Sequence, residues 1–377
     1  MAAKKSSRSP RTGRAGKGKA GKGRKTARTG KTVKAKKAEK VKKARKTKKA
    51  KKATKARKTT RARKVFSPRL TSRKKVVRSP RRVSSSAARS IKTITTIKDM
   101  RRYLREQRTR SRRVALVPTM GYLHEGHLSL VREARRLAHI VVASVFVNPL
   151  QFGPAEDLDR YPRDLAGDRR KLRAAGATVL FAPATSEFYP EGFQTYVEVT
   201  GVTRDFCGAS RPGHFRGVAT VVCKLFNIIQ PDLAVFGQKD YQQLVTIRRL
   251  VRDLDLDVDI VGMPTVREED GLAMSSRNSY LSPSQRQQAT AIFRGLRKAK
   301  RELDNGERDA AELAACVLDL LREERDLEVE YVAVVDPETL ERIPEVEDEA
   351  VVLVAARVGE TRLIDNIRLK VPRRRRR

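Results

Sequence analysis

The net charge of this chain is confined to its two ends, and that confinement limits which part of it can fold. The chain has 377 residues and a formal net charge of +42. Residues 1–90 hold 38 Lys and Arg against one acid, Glu39, and residues 373–377 are five consecutive arginines. What lies between, 91–372, is 282 residues with no net charge. A segment of that size can bury a substantial core. The first 90 residues cannot, because they hold one aromatic, Phe66, and too little apolar surface to offset the entropy of ordering. We therefore expect a disordered basic tail over 1–90, a fold over 91–372 and a short arginine tail after it.

The balanced segment excludes several classes. A run at 140–147, apolar except for Ser144, suits a buried strand and falls far short of the roughly 20 residues that span a bilayer. No apolar stretch follows the basic start as in a signal peptide, so a cytoplasmic protein is expected. Cys207, Cys223 and Cys316 are odd in number and lack metal-ligand spacing, which suits reduced core residues better than a disulfide framework. No cluster of Cys, His and carboxylates suggests zinc, and the G-x-G-x-x-G fingerprint of dinucleotide binding is absent from the segment.

From Ile91 onward, apolar runs of strand length alternate with helical stretches. Strands are expected at 114–117, 140–147, 178–182, 233–236 and 258–261, with a polar helix at 97–107 before them. Near-continuous apolar strands separated by helices predict a doubly wound parallel sheet. After Met263 the texture changes to helices at 282–303 and 310–325, then strands at 329–335, 350–357 and 361–364. This predicts two domains, an α/β domain over 91–264 and a smaller α+β domain over 265–372, with Pro264 and the charged loop 267–270 at the boundary.

The first of those strands runs into Pro118, Thr119, Met120 and Gly121, and His124, Glu125, Gly126 and His127 open a helix beyond it. Histidines three apart share one face of the first helical turn, where unpaired N–H groups favour a phosphate. Glycines at 121 and 126 permit a tight turn and close approach of a ligand to the backbone. Taken alone, the H-x-G-H tetrad reads either as a mark of adenylate-forming nucleotidyltransferases or as ordinary polar residues at a helix start.

The surrounding residues decide between these. V-A-L-V-P-T-M-G-Y-L-H-E-G-H-L-S-L-V (114–131) resembles the signature of the pantothenate synthetase family, and four further segments agree in order. They are F-V-N-P-L-Q-F (146–152), R-P-G-H-F-R-G-V-A-T-V-V (211–222), F-G-Q-K-D-Y-Q-Q-L (236–244) and G-L-A-M-S-S-R-N-S-Y-L (271–281). The resemblance covers about 93–369 and reaches neither tail. It implies a Rossmann-like fold and an ATP-dependent ligase that joins pantoate to β-alanine through a pantoyl adenylate.

The resemblance also implies roles for single residues. Met120, Gly121, Tyr122, Leu123, His124, Glu125, Gly126 and His127 would line the ATP site, with His124 and His127 on the phosphates and His127 a proton donor. A histidine beside polyphosphate is expected to favour its protonated form. Gly237, Gln238, Lys239 and Asp240 would take phosphate and ribose, and Val266 would take adenine. Met274, Ser275, Ser276 and Arg277 would form a second phosphate-binding segment, with Arg277 catalytic alongside the histidines and Lys239. Gln151 would bind pantoate and β-alanine and Gln243 pantoate, with Val221 and Val222 packed nearby. ATP with Mg²⁺ is the expected cosubstrate, no protein-held metal is expected, and a homodimer is implied. His214 and Arg211 border this set, and His139 reads as structural. Without the resemblance, Lys239 and Asp240 would read equally well as a surface charge pair and Ser275–Arg277 as a helix cap.

The tail leaves alternatives open. Its 38 cations suit non-specific nucleic-acid contact with steep salt dependence, a solvated polycation with no partner, or an organelle transit peptide. For the whole chain, a ligase with an accessory tail stands against a nucleic-acid-packaging protein that has kept an enzyme-like domain. Within the enzyme class, the runner-up is another H-x-G-H nucleotidyltransferase with a different acid or phosphate ester.

Overall fold

In a computed structural model, the structure describes residues 90–154 and 156–372. The basic tail and the five terminal arginines lie outside the described residues. The chain enters through a three-residue strand, β1 (Lys92–Ile94), and helix α1 (Ile97–Arg108), whose N-cap Thr96 accepts from the Asp99 N–H. There follow β2 (Val114–Thr119), α2 (Glu125–Leu137), β3 (Ile140–Val145), α3 (Leu165–Ala175) and β4 (Val179–Phe181). Next come α4 (His214–Ile229), β5 (Leu233–Gly237), α5 (Tyr241–Asp253) and β6 (Asp259–Met263). These six strands form one parallel sheet in the order β1-β4-β3-β2-β5-β6.

A parallel sheet needs cover on both faces, which is why β2 and β3 are almost wholly buried. On one face Leu116, Val142 and Phe236 pack with Met100 and Leu104 of α1, Val218 and Leu225 of α4 and Leu244 of α5. On the other, Val117, Val141 and Val235 meet Val131 and Ala134 of α2 and Leu172 of α3. This is the doubly wound arrangement that the apolar runs predict.

Beyond β6 lie α6 (Pro283–Asn305), α7 (Ala310–Arg322) and an antiparallel sheet of β7 (Leu327–Val335), β8 (Glu349–Val358) and β9 (Thr361–Lys370). α6 begins with a capping box between Ser282 and Gln285, with Pro283 at its first position, and ends at Gly306 in the left-handed region. Its apolar face joins α7 and β8 in a second core. The two parts meet where Phe206, Tyr241 and Val245 pack on Ala333, Val351 and Leu353.

Most strands fall where the sequence places them, and two differences have physical causes. β1 has three residues, too few to show a period. β9 runs to Lys370 rather than ending at residue 364, because buried Asp365 and Asn366 interrupt the apolar pattern inside the strand. Within the charged loop at 267–270, Arg267 pairs with Asp365, and Arg286 binds both Glu268 and Asp270.

Candidate active site

From β2 the chain crosses through α2 to β3 on one side, and from β5 it crosses through α5 to β6 on the other. Since β2 and β5 are neighbours, their carboxyl ends flank the point where the winding reverses, the place where an open α/β sheet leaves a crevice. A cleft of about 210 Å³ opens there.

The loop after β2 forms its first wall. Gly121 (φ +91°) and Tyr122 (φ +52°) both lie in the left-handed region. A side chain at 121 would meet Asp168 Oδ2 and Val145 Cγ1 at 3.0 Å, so glycine is required on two counts. Buried Asp168 of α3 accepts from the N–H groups of Tyr122 and Leu123, each at 2.8 Å, and Lys171 Nζ donates to the Leu123 carbonyl at 2.7 Å. Desolvation pushes the Asp168 carboxyl above its ordinary range, against those two N–H donors.

His124 caps α2 and His127 sits one turn in, with ring centroids 4.1 Å apart. The His124 N–H reaches His127 Nδ1 at a long 3.4 Å. A neutral His127 that accepts at Nδ1 carries its proton on Nε2. His124 Nδ1 is buried with no partner among the described residues. Desolvation and then the Lys239 charge push His124 down to about 4. Desolvation and then His124 push His127 to about 3. The protein's own groups thus hold both imidazoles neutral, and the protonated form expected beside polyphosphate requires the negative charge of that ligand.

A 3-10 turn, Pro149–Gln151, forms the floor, capped by the Asn148 side chain. Buried Asn148 donates to Gln151 Oε1 and to the Gly217 carbonyl, both at 3.1 Å, and accepts from Tyr189 at 2.9 Å. Gly217 lets α4 approach this turn, since a Cβ there would lie 2.2 Å from the Leu150 carbonyl oxygen. His214 Nδ1 is 2.8 Å from the Gln151 carbonyl, and Arg211, paired with Glu156, lies 3.1 Å from His214 Nε2. Burial and then Arg211 push His214 down to about 4.

Opposite, Lys239 and Asp240 end the turn after β5, with Lys239 Nζ 3.5 Å from Asp240 Oδ1. Desolvation pushes the half-exposed Asp240 carboxyl up, but the charge and hydrogen bond of Lys239 outweigh it and hold it below its ordinary range. The last wall is the segment before α6. Ser276 Oγ donates to the Tyr122 carbonyl at 3.3 Å, and Arg277 makes two hydrogen bonds to Asp157, at 3.0 and 2.7 Å.

Sixteen of the residues named from the sequence line this one cleft. They are Met120, His124, Gly126 and His127 from the first wall, Gln151 from the floor, Val221 and Val222 from α4, Gly237, Lys239, Asp240 and Gln243 from the β5–α5 region, and Val266, Met274, Ser275, Ser276 and Arg277 from the last. Gly121, Tyr122, Leu123, Glu125 and Gln238 do not line it. The first three shape the loop, Glu125 pairs with Arg132 on the surface, and Gln238 Nε2 donates to the Gly262 carbonyl at 3.4 Å. His139 accepts from the Arg113 N–H at 3.2 Å, a structural contact. Asn148 and Tyr161 also line the cleft; the sequence reading assigned no role to the first and did not single out the second, nor Asp168, which holds the loop after β2. Asn148 stands inside the F-V-N-P-L-Q-F segment, but nothing local distinguishes Asp168 from other acids at helix starts.

This topology, with H-x-G-H opening the helix at the switch point, is that of a doubly wound α/β enzyme with its cleft at the carboxyl ends of the strands. The chain belongs to the pantoate–β-alanine ligase family, whose model matches residues 92–368. It is 57% identical over 282 residues to pantothenate synthetase of Myxococcus xanthus, covering 74% of this chain and 95% of that one. The enzyme of Syntrophotalea carbinolica is 53% identical over 261 residues, 69% of this chain and 92% of that one. Among solved structures, pantothenate synthetase from Thermus thermophilus superposes with a TM-score of 0.71 at 51% identity, covering 74% of this chain and 99% of that one. The pantoate–β-alanine ligase of Francisella tularensis, described as a complex with β,γ-ATP and β-alanine, does so at 0.61 and 32%, covering 74% and 97%.

Proposed function

We propose that this ligase of pantothenate synthesis works in two steps within the cleft. A pantoate carboxylate oxygen attacks the α-phosphorus of ATP and expels pyrophosphate. The β-alanine amine then attacks the acyl carbon of the resulting pantoyl adenylate, and AMP leaves with the bridging oxygen. The observation that carries this reading is the convergence, on one cleft, of an imidazole pair, an amide pair and two cationic segments.

Each group suits its part. His127 Nε2–H and Lys239 face the phosphoryl oxygens, where charge spreads in the transition state, so their fixed donors lower the barrier. His124 and His127 enter neutral and gain proton affinity as polyphosphate approaches, which lets His127 act as a proton donor. Gln151, held by Asn148, and Gln243 orient the pantoate carboxylate with neutral amides that leave its nucleophilicity intact. Asp240 takes the ribose, the Val266 backbone the adenine, and Ser275, Ser276 and Arg277 the outer phosphates.

Mg²⁺ suits this site as the partner of ATP. It prefers phosphate and water oxygens, and among the described residues no group of three or more His, Cys, Asp or Glu is placed to hold a metal ion. A small domain over 265–372 that closes on ATP, a homodimer and a cytoplasmic location follow from the family resemblance. Among the described residues no helix is long and apolar enough to cross a membrane. Residues 1–90 are read as a contact for nucleic-acid backbones, with affinity falling steeply as salt rises.

The test gives the full chain ATP, Mg²⁺ and pantoate with and without β-alanine, and follows AMP, pyrophosphate and pantothenate. Pantothenate formed with one AMP and one pyrophosphate each is the expected result. ADP production, or turnover indifferent to pantoate, rejects the reading in favour of another nucleotidyltransferase.

A further inference from the structure

Asp365 and Asn366 of β9 are 4% and 6% exposed, and neither has a part in the roles above. Burying polar groups in a strand is costly unless they are paired. Asp365 binds Arg267 through two contacts of 2.5 and 3.0 Å, and the Arg267 guanidinium lies 3.8 Å from the centre of the Phe293 ring. Arg267 follows Val266 and bridges to Ala273, so this pair anchors the strip that carries Val266 and Met274.

Asn366 Nδ2 donates to the Gln238 carbonyl and to the Lys239 carbonyl, both at 2.9 Å. An amide nitrogen has two hydrogens, and both are used on consecutive carbonyls of the turn between β5 and α5. In a trans peptide the N–H points opposite the C=O. Fixing those two carbonyls therefore fixes the N–H groups of Lys239 and Asp240 on the side away from Asn366. The same two residues line the cleft.

We infer that Asn366 is a positioning residue for ATP: from the C-terminal sheet it sets the peptide planes of Gln238–Asp240, so that Lys239 and Asp240 face the nucleotide without rearrangement. This rests on the reading of the cleft as the ATP site. It gives the C-terminal sheet a task besides packing, because adjacent residues of one strand hold two separate walls of the cleft. No acid can substitute at neutral pH, since a carboxylate would oppose two carbonyl oxygens.

The test compares Asn366→Ala and Asn366→Asp with the unaltered full chain, measuring kcat, KM for ATP, KM for pantoate and thermal unfolding. For Asn366→Ala the expected result is a rise of about tenfold in KM for ATP, on the scale of one or two lost hydrogen bonds, with KM for pantoate within about twofold. For Asn366→Asp the KM for ATP should improve as pH falls from 8 to 6, when the acid is protonated and donates again. That recovery is absent from the unaltered chain. A folded Asn366→Ala with unchanged KM for ATP overturns the inference, as does a pH-independent Asn366→Asp. If neither variant folds at any pH, Asn366 is structural and the inference also fails. No turnover by the unaltered chain rejects the proposed reaction instead, so the two failures are distinguishable.

Discussion

The two walls that we propose face the phosphates are built on opposite principles. The loop at 120–124 is tied down by Asp168 and Lys171, through three hydrogen bonds of 2.7 to 2.8 Å from one helix, and burial pushes His124 at its end and His127 in the helix beyond toward their neutral forms. The segment at 275–277 carries a full charge on Arg277, whose principal tether is the carboxylate of Asp157. A backbone N–H on a buried carboxylate is worth about 1.5 to 3 kcal/mol. A partly buried ion pair gives back much of its attraction in desolvation. One wall is therefore preformed, while the other holds its cation on a carboxylate that a phosphate can replace. On the proposed reading, such a division would let the nucleotide meet a rigid surface first and be enclosed by the exchangeable one.

Four substitutions or titrations sharpen that contrast. The largest effect is expected from the preformed wall: His127→Ala should lower kcat/KM by at least about a hundredfold, and steady-state kinetics showing near-normal turnover would remove the histidine from the reaction. Next, Asp168→Asn sets an NH₂ group against one of two backbone N–H donors. Urea unfolding should report a loss of about 1 to 3 kcal/mol, accompanied by a roughly tenfold fall in kcat/KM. An unchanged midpoint and rate would mean the loop is held by something else.

On the exchangeable wall the effect should be smaller and of opposite sign. Asp157→Asn removes the carboxylate that competes with phosphate for Arg277, so KM for ATP should fall by about threefold, the scale of a partly screened pair. A tenfold rise would show instead that Asp157 aims Arg277. The mildest signal is in stability. His124, His127 and His214 titrate in the fold at about 4, 3 and 4 against an ordinary 6.5, so the unfolded chain binds more protons. Their contribution is complete above about pH 6.5 and is lost as pH falls through the folded values. Unfolding free energy should decline between pH 7 and 4.5, less steeply in His214→Gln, and equal slopes would refute the assignment.

Much of this was legible from the residues, for reasons that also explain the rest. Strands such as 114–117 and 233–236 announce themselves because a doubly covered sheet demands uninterrupted apolar residues. The H-x-G-H turn and the G-Q-K-D turn are local, with their chemistry and geometry carried by neighbours in sequence. What the sequence hid are contacts between distant segments. Asp168 acts 45 residues from the N–H group of Leu123, and Asp157 lies 120 residues from Arg277. Asn366 is 127 residues from the carbonyl of Lys239 that it holds. Asp365 and Asn366 even shortened the expected strand, because a buried polar pair mimics a strand end until its partners are known.

The most direct test of the two-step account follows the pantoate carboxylate oxygen. With pantoate labelled with ¹⁸O in its carboxylate, the mechanism predicts one labelled oxygen in the AMP released and none in pyrophosphate. Unlabelled AMP, or ADP formed with the label in inorganic phosphate, would contradict attack at the α-phosphorus and with it the assignment of this cleft.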